Sequence, residues 1–404
     1  MPLKNLLYLL QLEEYDLKRF DDWLGRNPNR IVLEKKGQLN WTSKARLLFV
    51  LTNFLNIFTI GKRPDTALKT AVVILLPVDT LLKNLLVWRA RRKLKKMTNL
   101  TVIGITGSYG KTTTKDALTH ILTNKYQTLK TEGNYNTVLG IAKTITKNLR
   151  RDHELFIVEM AAYQRGDIKA IAELIKPKIG IITAIGQMHL ERFKTPENIL
   201  KTKIELIESL PEDGIGFLQR ELEQQINNLK IKTKIVFFTS KEELFLKIAA
   251  LFDISNNDAL GRIKTMPPTP HRQEIIKTSA GITIIDDTYN SNPAGFLLAL
   301  ELLKNIPAQR RILVTPGIIE LGAKQFELNK EAARAAAKIA DYIVIVGETN
   351  KYALEEGLRE ELGPNFENKV FWVKDLDKAK PKLSELTTAN SAVLLENDLP
   401  DHYF

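Results

Sequence analysis

The sequence predicts an α/β fold: a phosphate-loop central domain on a mainly parallel sheet, a second strand-and-helix domain after it, and a helical, apolar and basic N-terminal region before both. Three observations predict this. A β-branched run ends in a glycine loop that opens directly into a helical pattern near residue 110. Short apolar runs alternate with helical stretches between residues 155 and 238, and again between 276 and 404. The charge is uneven, because residues 1–98 carry 19 Lys/Arg against 8 Asp/Glu, a surplus of 11 out of the net +12 of the whole chain. At 404 residues and 44% hydrophobic content the chain has room for two or three domains. The expected boundaries are 1–98, 99–270 and 276–404. The chain has no cysteine, which excludes disulfides and thiolate metal sites.

The N-terminal region opens on Leu6-Leu7-Tyr8-Leu9-Leu10, which runs directly into the charged Glu13-Glu14-Tyr15-Asp16. It is too short for a signal peptide and has no small-residue cleavage site, so export by that route is not expected. Two apolar stretches follow, Leu47 to Ile60 and Ala67 to Trp88, the second interrupted by Pro77, Asp79, Lys83 and Asn84. A clean spanning helix needs roughly 20 mainly apolar residues, so neither stretch reads as one. The basic cluster Arg89-Ala90-Arg91-Arg92-Lys93-Leu94-Lys95-Lys96 comes next. Together they predict peripheral contact of residues 1–98 with an anionic membrane surface, at the inner face of a cytoplasmic membrane. A soluble helical domain and true spans are the alternatives. Nucleic acid is not an expected partner, since no aromatic or helicase-type motif accompanies the basic residues.

Leu100 to Ile105 form the strand, and Gly107-Ser108-Tyr109-Gly110-Lys111-Thr112-Thr113 the loop. This is the short GxxGKTT form, with Ile105 where the longer phosphate-loop pattern has glycine. Its glycines let backbone amides approach phosphate oxygens, and the helix N-terminus adds favourable potential. Lys111 would bridge the β- and γ-phosphates, and the Thr112 hydroxyl would hold Mg²⁺. The alternative is a plain strand-to-helix turn. The following apolar runs, Leu155 to Met160, Ile179 to Ile185, Ile215 to Leu218 and Lys234 to Phe238, predict parallel strands whose carboxyl ends carry ligand groups. Glu159 and His189 sit at such ends and are the candidate metal ligands. Taken singly, Glu159 reads equally as a helix-capping carboxylate and His189 as a polar residue at a core edge.

Five ordered strings then resemble the Mur ligase family: Gly107 to Thr113, Gly133-Asn134-Tyr135-Asn136-Thr137, Val158-Glu159-Met160, Gly186-Gln187-Met188-His189-Leu190-Glu191 and Asp286-Asp287-Thr288-Tyr289-Asn290-Ser291-Asn292-Pro293. The last is most similar to the branch that adds D-alanyl-D-alanine, and the start of the chain resembles a membrane-associated subgroup. The resemblance covers roughly residues 99–404. It implies a Rossmann-like C-terminal domain, with ATP and Mg²⁺ as cofactors. It also implies phosphorylation of a carboxylate by ATP, followed by attack of an amine on the acyl phosphate. The substrates implied are a peptidoglycan precursor and a D-amino-acid dipeptide, and a monomer is expected. Lys111 and Thr112 would hold ATP and Mg²⁺, and Glu159 and His189 would serve the magnesium sites. Lys203 would be carbamylated to help bind a second Mg²⁺, with Lys201 as the competing candidate. Asn290 would contact adenine unless it is only a turn residue, and Arg272 would belong to the hinge before the last domain.

Three departures from the family pattern concern the acceptor side. Residues 1–98 are not the α/β domain that binds a uridine nucleotide. The segment from Phe217 to Pro267 is short, and Leu218-Gln219-Arg220 stands where an asparagine and an acid are common. Val314 to Gly322 lacks a usual aspartate, and Leu394-Leu395-Glu396-Asn397-Asp398 replaces a Lys-Gly-Ser motif. The competing reading is a membrane-associated scaffold that binds ATP without ligase turnover.

Overall fold

The computed structural model describes residues 1–27, 39–58, 64–133, 135–186, 190–227, 229 and 231–398. The chain opens on α1 (Leu3–Leu12), with Leu6, Leu7, Tyr8, Leu9 and Leu10 all buried and Lys4 exposed. α2 (Leu17–Arg26) starts on Asp16, whose carboxylate accepts the Arg19 amide at 3.0 Å. Phe20 and Trp23 of α2 pack with Leu48 of α3 (Ser43–Phe58) and with Leu68 and Ala71 of α4 (Pro64–Leu94). These elements, up to Leu85, form one compact unit, and Leu86–Asp398 form the other.

Within the first unit, Leu47, Val50, Phe54 and Ile57 recur at helical spacing along α3 and are all exposed, Ile57 at 67%. On α4, Val73, Ile74, Leu76, Val78, Leu81, Leu82 and Leu85 are exposed as well. So much contiguous exposed apolar surface is rare on a soluble monomer. Pro77, Asp79, Lys83 and Asn84 do interrupt the apolar run, but the expectation that neither stretch is long and apolar enough for a spanning helix is corrected for the second. α4 runs unbroken for 31 residues, with Pro77 inside it. Asp79 is held by Lys44 of α3 at 2.9 Å and by Lys83 at 2.7 Å, and the Thr80 hydroxyl donates to the Leu76 carbonyl at 2.8 Å. An 18-residue window of α4 has mean hydropathy 1.8, which makes it the one helix among the described residues long and apolar enough to cross a membrane.

The second unit begins with the last turns of α4. Strand β1 (Thr101–Thr106), α5 (Lys111–Leu122), β2 (Thr128–Lys130), α6 (Val138–Asn148), β3 (Leu155–Glu159), α7 (Asp167–Ile175) and β4 (Ile179–Ile182) follow. Then come α8 (Leu190–Phe193), α9 (Pro196–Glu208), β5 (Ile215–Gln219), α10 (Glu223–Ile226), β6 (Lys234–Phe238), α11 (Lys241–Leu251) and α12 (Asn256–Lys264). The six strands form a sheet in the order β2-β3-β1-β4-β5-β6, and every neighbouring pair is parallel. Both faces are covered, which is why strands such as Leu-Phe-Ile-Val-Glu are continuously apolar. Phe156 and Val158 pack under α6, α7 and α9, and Ile157 and Ile105 under α5 and α11. Leu86, Val87, Ala90 and Leu94 of α4 belong to the first of these cores.

A second sheet is made by β7 (Glu274–Lys277), β8 (Thr283–Asp287), α13 (Pro293–Asn305), β9 (Arg310–Thr315), α14 (Gln325–Ala337), β10 (Tyr342–Val346), α15 (Lys351–Leu362), α16 (Phe366–Lys369), β11 (Val370–Val373), α17 (Leu376–Leu386) and β12 (Ser391–Glu396). Its order is β11-β10-β9-β12-β8-β7, parallel except for the β7–β8 hairpin. The two sheets meet where the Glu191 amide bonds the Glu320 carbonyl at 3.1 Å and Arg192 approaches the Glu320 carboxylate at 3.6 Å.

Candidate functional site

The loop after β1 needs its glycines. Gly110 begins α5 at φ +80°, and Gly107 sits at φ +149° against the β4 edge. A Cβ on Gly107 would lie 2.1 Å from the Thr183 hydroxyl. That close approach is used: Thr183 Oγ1 donates to the Tyr109 carbonyl at 2.6 Å, and the Ser108 amide bonds the Ala184 carbonyl at 2.7 Å. Ser108 Oγ donates to the Gly186 carbonyl and accepts from the Gly186 amide, both at 3.0 Å. The loop is thus pinned to the end of β4, with the first turn of α5 behind it. This is the geometry of an anion cradle.

Lys111 is half-buried at the first position of α5, its ammonium held by the carbonyls of Gly107 at 2.8 Å and Ser108 at 3.3 Å. Its pKa is lowered to about 8, chiefly by burial and in lesser part by the Arg272 guanidinium, with Glu159 opposing. Thr113 lies one residue beyond Thr112 on the same first turn, half-buried like it.

The parallel register sets Ile105 beside Glu159, which brings this carboxylate to the loop. Glu159 is 4% exposed, with Lys115 Nζ at 3.0 Å on one oxygen and Asn136 Nδ2 at 3.4 Å on the other. Burial alone would raise its pKa, but the charges of Lys115 and Lys111 and hydrogen bonds from Lys115 and Thr112 carry it below the usual carboxylate value. Sequence reasoning did not single out Lys115, although it stands four residues after Lys111 and so shares its face of α5.

Lys203 and Lys201 part company clearly. Lys201 is exposed, whereas Lys203 is 4% exposed on α9, its ammonium 5.9 Å from the Phe193 ring. Burial first, and the Lys111 charge after it, bring the Lys203 pKa down to about 7 against the opposing charges of Asp167 and Glu205. Lys203 has no ion pair among the described residues, since Glu205 is occupied by the Gly166 and Lys169 amides at 2.8 and 3.1 Å. His189 lies outside the described residues, with Gln187, Met188 and Asn134. Among the described residues no three His, Asp or Glu side chains gather as a ready-made metal site.

From the turn before β7, Arg272 lies 4.2 Å over the Tyr289 ring. Burial lowers its pKa, against the charges of Tyr289, Asp287 and Glu159, so it reaches toward the loop carboxylate. Asn292, not Asn290, caps α13, accepting the Gly295 amide at 3.0 Å. Asn290 is half-buried and its side chain bonds nothing among the described residues. Behind it, Glu396 is paired in register with Asp287 across β12 and β8. The Glu396 pKa is raised to about 8, chiefly by burial and then by the Asp287 charge, against hydrogen bonds from Ser291 and Thr315. Asp287 is itself raised by burial to about 6. Glu396 had the same sequence signal as Glu159, a carboxylate closing an apolar strand, yet was read only as a departure from a motif.

The chain matches two family models, "Mur ligase middle domain" over residues 105–281 and "Mur ligase, glutamate ligase domain" over residues 271–396. It is 28% identical over 299 residues to the UDP-N-acetylmuramoyl-tripeptide–D-alanyl-D-alanine ligase of Bacillus subtilis, covering 64% of this chain and 65% of that protein. It is 30% identical over 273 residues to the ligase of the same name from Buchnera aphidicola, covering 57% and 59%. The Synechocystis ligase of that name is 29% identical over 307 residues, covering 66% and 65%. The chain therefore spans a little under two thirds of the length of these relatives. Its fold is shared with the crystal structure of MurF from Thermotoga maritima in complex with ADP, at TM-score 0.69 and 23% identity over 78% of this chain and 80% of that one. The structure of MurF from Acinetobacter baumannii superposes equally well, at 0.69 and 23%, over 78% and 77%.

Proposed function

The chain belongs to the Mur ligase family, and from that premise we propose that it is an ATP-dependent, ADP-forming ligase that joins a carboxylate of a cell-wall precursor to an amine such as D-alanyl-D-alanine. The observation that supports this reading best is the glycine loop itself, pinned to the end of β4 by Thr183 and Ser108, with Lys111 opening α5 and the buried Lys115–Glu159 pair at 3.0 Å beside it. The loop amides of Gly107 to Thr113 would bind the triphosphate and Lys111 would neutralise its transferring end. Asn290, with its side chain uncommitted, would meet the adenine, and Arg272 would close the second domain over the loop. In this reading residues 99–270 are the ATP domain, 276–404 the amine-side domain and 1–98 the membrane-facing region of a monomer.

Thr112 and Glu159 supply two hard oxygen donors in hydrogen-bond contact, which fits Mg²⁺, an ion that keeps several waters and takes its other ligands from phosphate. Bound there, the ion would offset charge on the phosphates. His189 and a carbamylated Lys203 would serve the magnesium sites. A buried amine titrating near pH 7 is part neutral at neutral pH, and the neutral amine is the form that adds carbon dioxide. Bicarbonate is therefore expected to raise turnover several-fold, more at pH 8 than at pH 6, and the rise should vanish in Lys203→Ala. A mutant as active and as bicarbonate-responsive as the parent sinks this role.

The ligase itself is tested by incubating the protein with ATP, Mg²⁺, D-alanyl-D-alanine and either a UDP-muramoyl-tripeptide or a lipid-linked precursor, and recording phosphate and product mass. Release requiring both substrates supports the ligase and identifies the acceptor. Nucleotide binding without turnover on either acceptor favours the scaffold reading.

Membrane contact is proposed for the exposed apolar faces of α3 and α4. The full chain is expected to float with vesicles containing anionic phospholipid. Val50→Glu with Leu81→Glu, both at exposed positions, should cut the bound fraction at least tenfold, each buried charge costing roughly 2.5 to 3.5 kcal/mol. Undiminished flotation of the double variant would remove α3 and α4 as the contact.

A further inference from the structure

The basic cluster at the end of α4 is divided between two uses. Arg92 lies 5.4 Å from the Trp88 ring, and Lys93 donates to the Thr146 carbonyl at 3.0 Å. Arg91 and Lys95, one turn apart on the same side of the helix, are exposed and have no ion-pair partner among the described residues. Both line a cleft of about 530 Å³. The third cation there is Lys176, also exposed and unpaired among the described residues, which ends α7 in the left-handed conformation at φ 48°. A single carboxylate, Glu173, shares the rim, so the opening carries two positive charges more than negative. The floor is apolar, with Leu94, Met97 and Ile175 among its walls.

A cleft of this volume, within the range of small-molecule pockets, with a cationic mouth and a hydrocarbon floor, matches one ligand chemistry. Free anions would gain nothing from the floor, and neutral amphiphiles nothing from the net surplus of two positive charges. We propose that this cleft, formed by the end of α4, the start of β1 and the end of α7, binds the phosphate headgroup and proximal hydrocarbon of an anionic lipid. The site is separate from the phosphate loop and independent of the ligase reading. It rests on the proposed membrane contact only for where the ligand comes from.

The test uses the full chain in a non-ionic detergent, titrated calorimetrically with three probes: dihexanoyl phosphatidic acid below its micelle concentration, dihexanoyl phosphatidylcholine, and inorganic phosphate. Phosphatidic acid is expected to bind at least tenfold tighter than either of the others. Lys95→Glu with Lys176→Glu should weaken phosphatidic acid at least tenfold and leave phosphatidylcholine unchanged. Lys95→Ala with Lys176→Ala should fall between, which guards against a folding defect, as does an unchanged unfolding temperature at these exposed positions. Equal binding of phosphatidylcholine would mean adsorption of any amphiphile, equal binding of inorganic phosphate would mean a plain anion site, and an undisturbed double variant would move the site elsewhere. Each of these overturns the proposal. Because the readout involves no nucleotide, loss of the ligase reading would leave this result standing, and the reverse holds as well.

Discussion

Replacing Lys111 with alanine is expected to lower substrate-dependent phosphate release by at least about a thousandfold, the scale on which phosphoryl-transfer sites lose activity when one clamping cation is removed. The side chain is already gathered over the loop by the Gly107 and Ser108 carbonyls, so little ordering remains when a phosphate takes their place. Its loss leaves the loop amides and Arg272 as the remaining positive groups proposed to meet the phosphates, with no side-chain ammonium from the loop itself. Stopped-time phosphate assays at saturating substrates measure the effect. A mutant retaining more than a tenth of the parent rate would show that the transferring phosphoryl group is not at Lys111.

The second large effect is structural. Gly107→Ala places a methyl 2.1 Å from the Thr183 hydroxyl and 3.1 Å from the Ala184 backbone, at a φ of +149° that side chains avoid. Neither neighbour can withdraw, since Thr183 holds the Tyr109 carbonyl and Ala184 the Ser108 amide. A cost of about 3 kcal/mol or more is expected, read as a drop of roughly 6 °C or more in unfolding temperature, with nucleotide affinity falling at least tenfold. Gly133→Ala is the control: its φ is also positive, at +48°, but nothing lies within 4 Å of the added carbon. It should cost only about 1 kcal/mol. Equal losses in the two variants would mean that backbone conformation, not the contact with β4, makes Gly107 necessary.

What could be read in the sequence was what is local in the chain. The phosphate loop declares itself because strand, glycines, lysine and helix are consecutive, and the buried strands declare themselves because a doubly covered parallel sheet wants unbroken apolar runs. β2 and β7 escaped that reading: Thr128-Leu129-Lys130 and Glu274-Ile275-Ile276-Lys277 are short edge strands with little to bury. α4 was misread because Asp79 looked like an interruption, and its partner Lys44 is 35 residues away. The same reason hid the Lys115–Glu159 and Ser291–Glu396 pairs, separated by 44 and 105 residues. Burial distinguished Lys203 from Lys201, two residues apart and alike in sequence, because only the path of α9 decides which of them turns inward.

Division of the chain by deletion meets an obstacle in α4. A cut at residue 98 would take Leu86, Val87, Ala90 and Leu94 away from the layer that covers Phe156 and Val158. At about 25 cal/mol per Å² of apolar surface, uncovering that layer costs several kcal/mol, a sizeable share of the 5 to 15 kcal/mol that typically holds a domain together. Such a fragment would lose activity through unfolding, and the loss would be mistaken for a catalytic contribution of the removed region. A fragment beginning near Leu86 keeps the whole layer, and the cleft of Arg91, Lys95 and Lys176 with it, so only there can loss of the proposed contact through α3 and the first turns of α4 be separated from collapse of the fold.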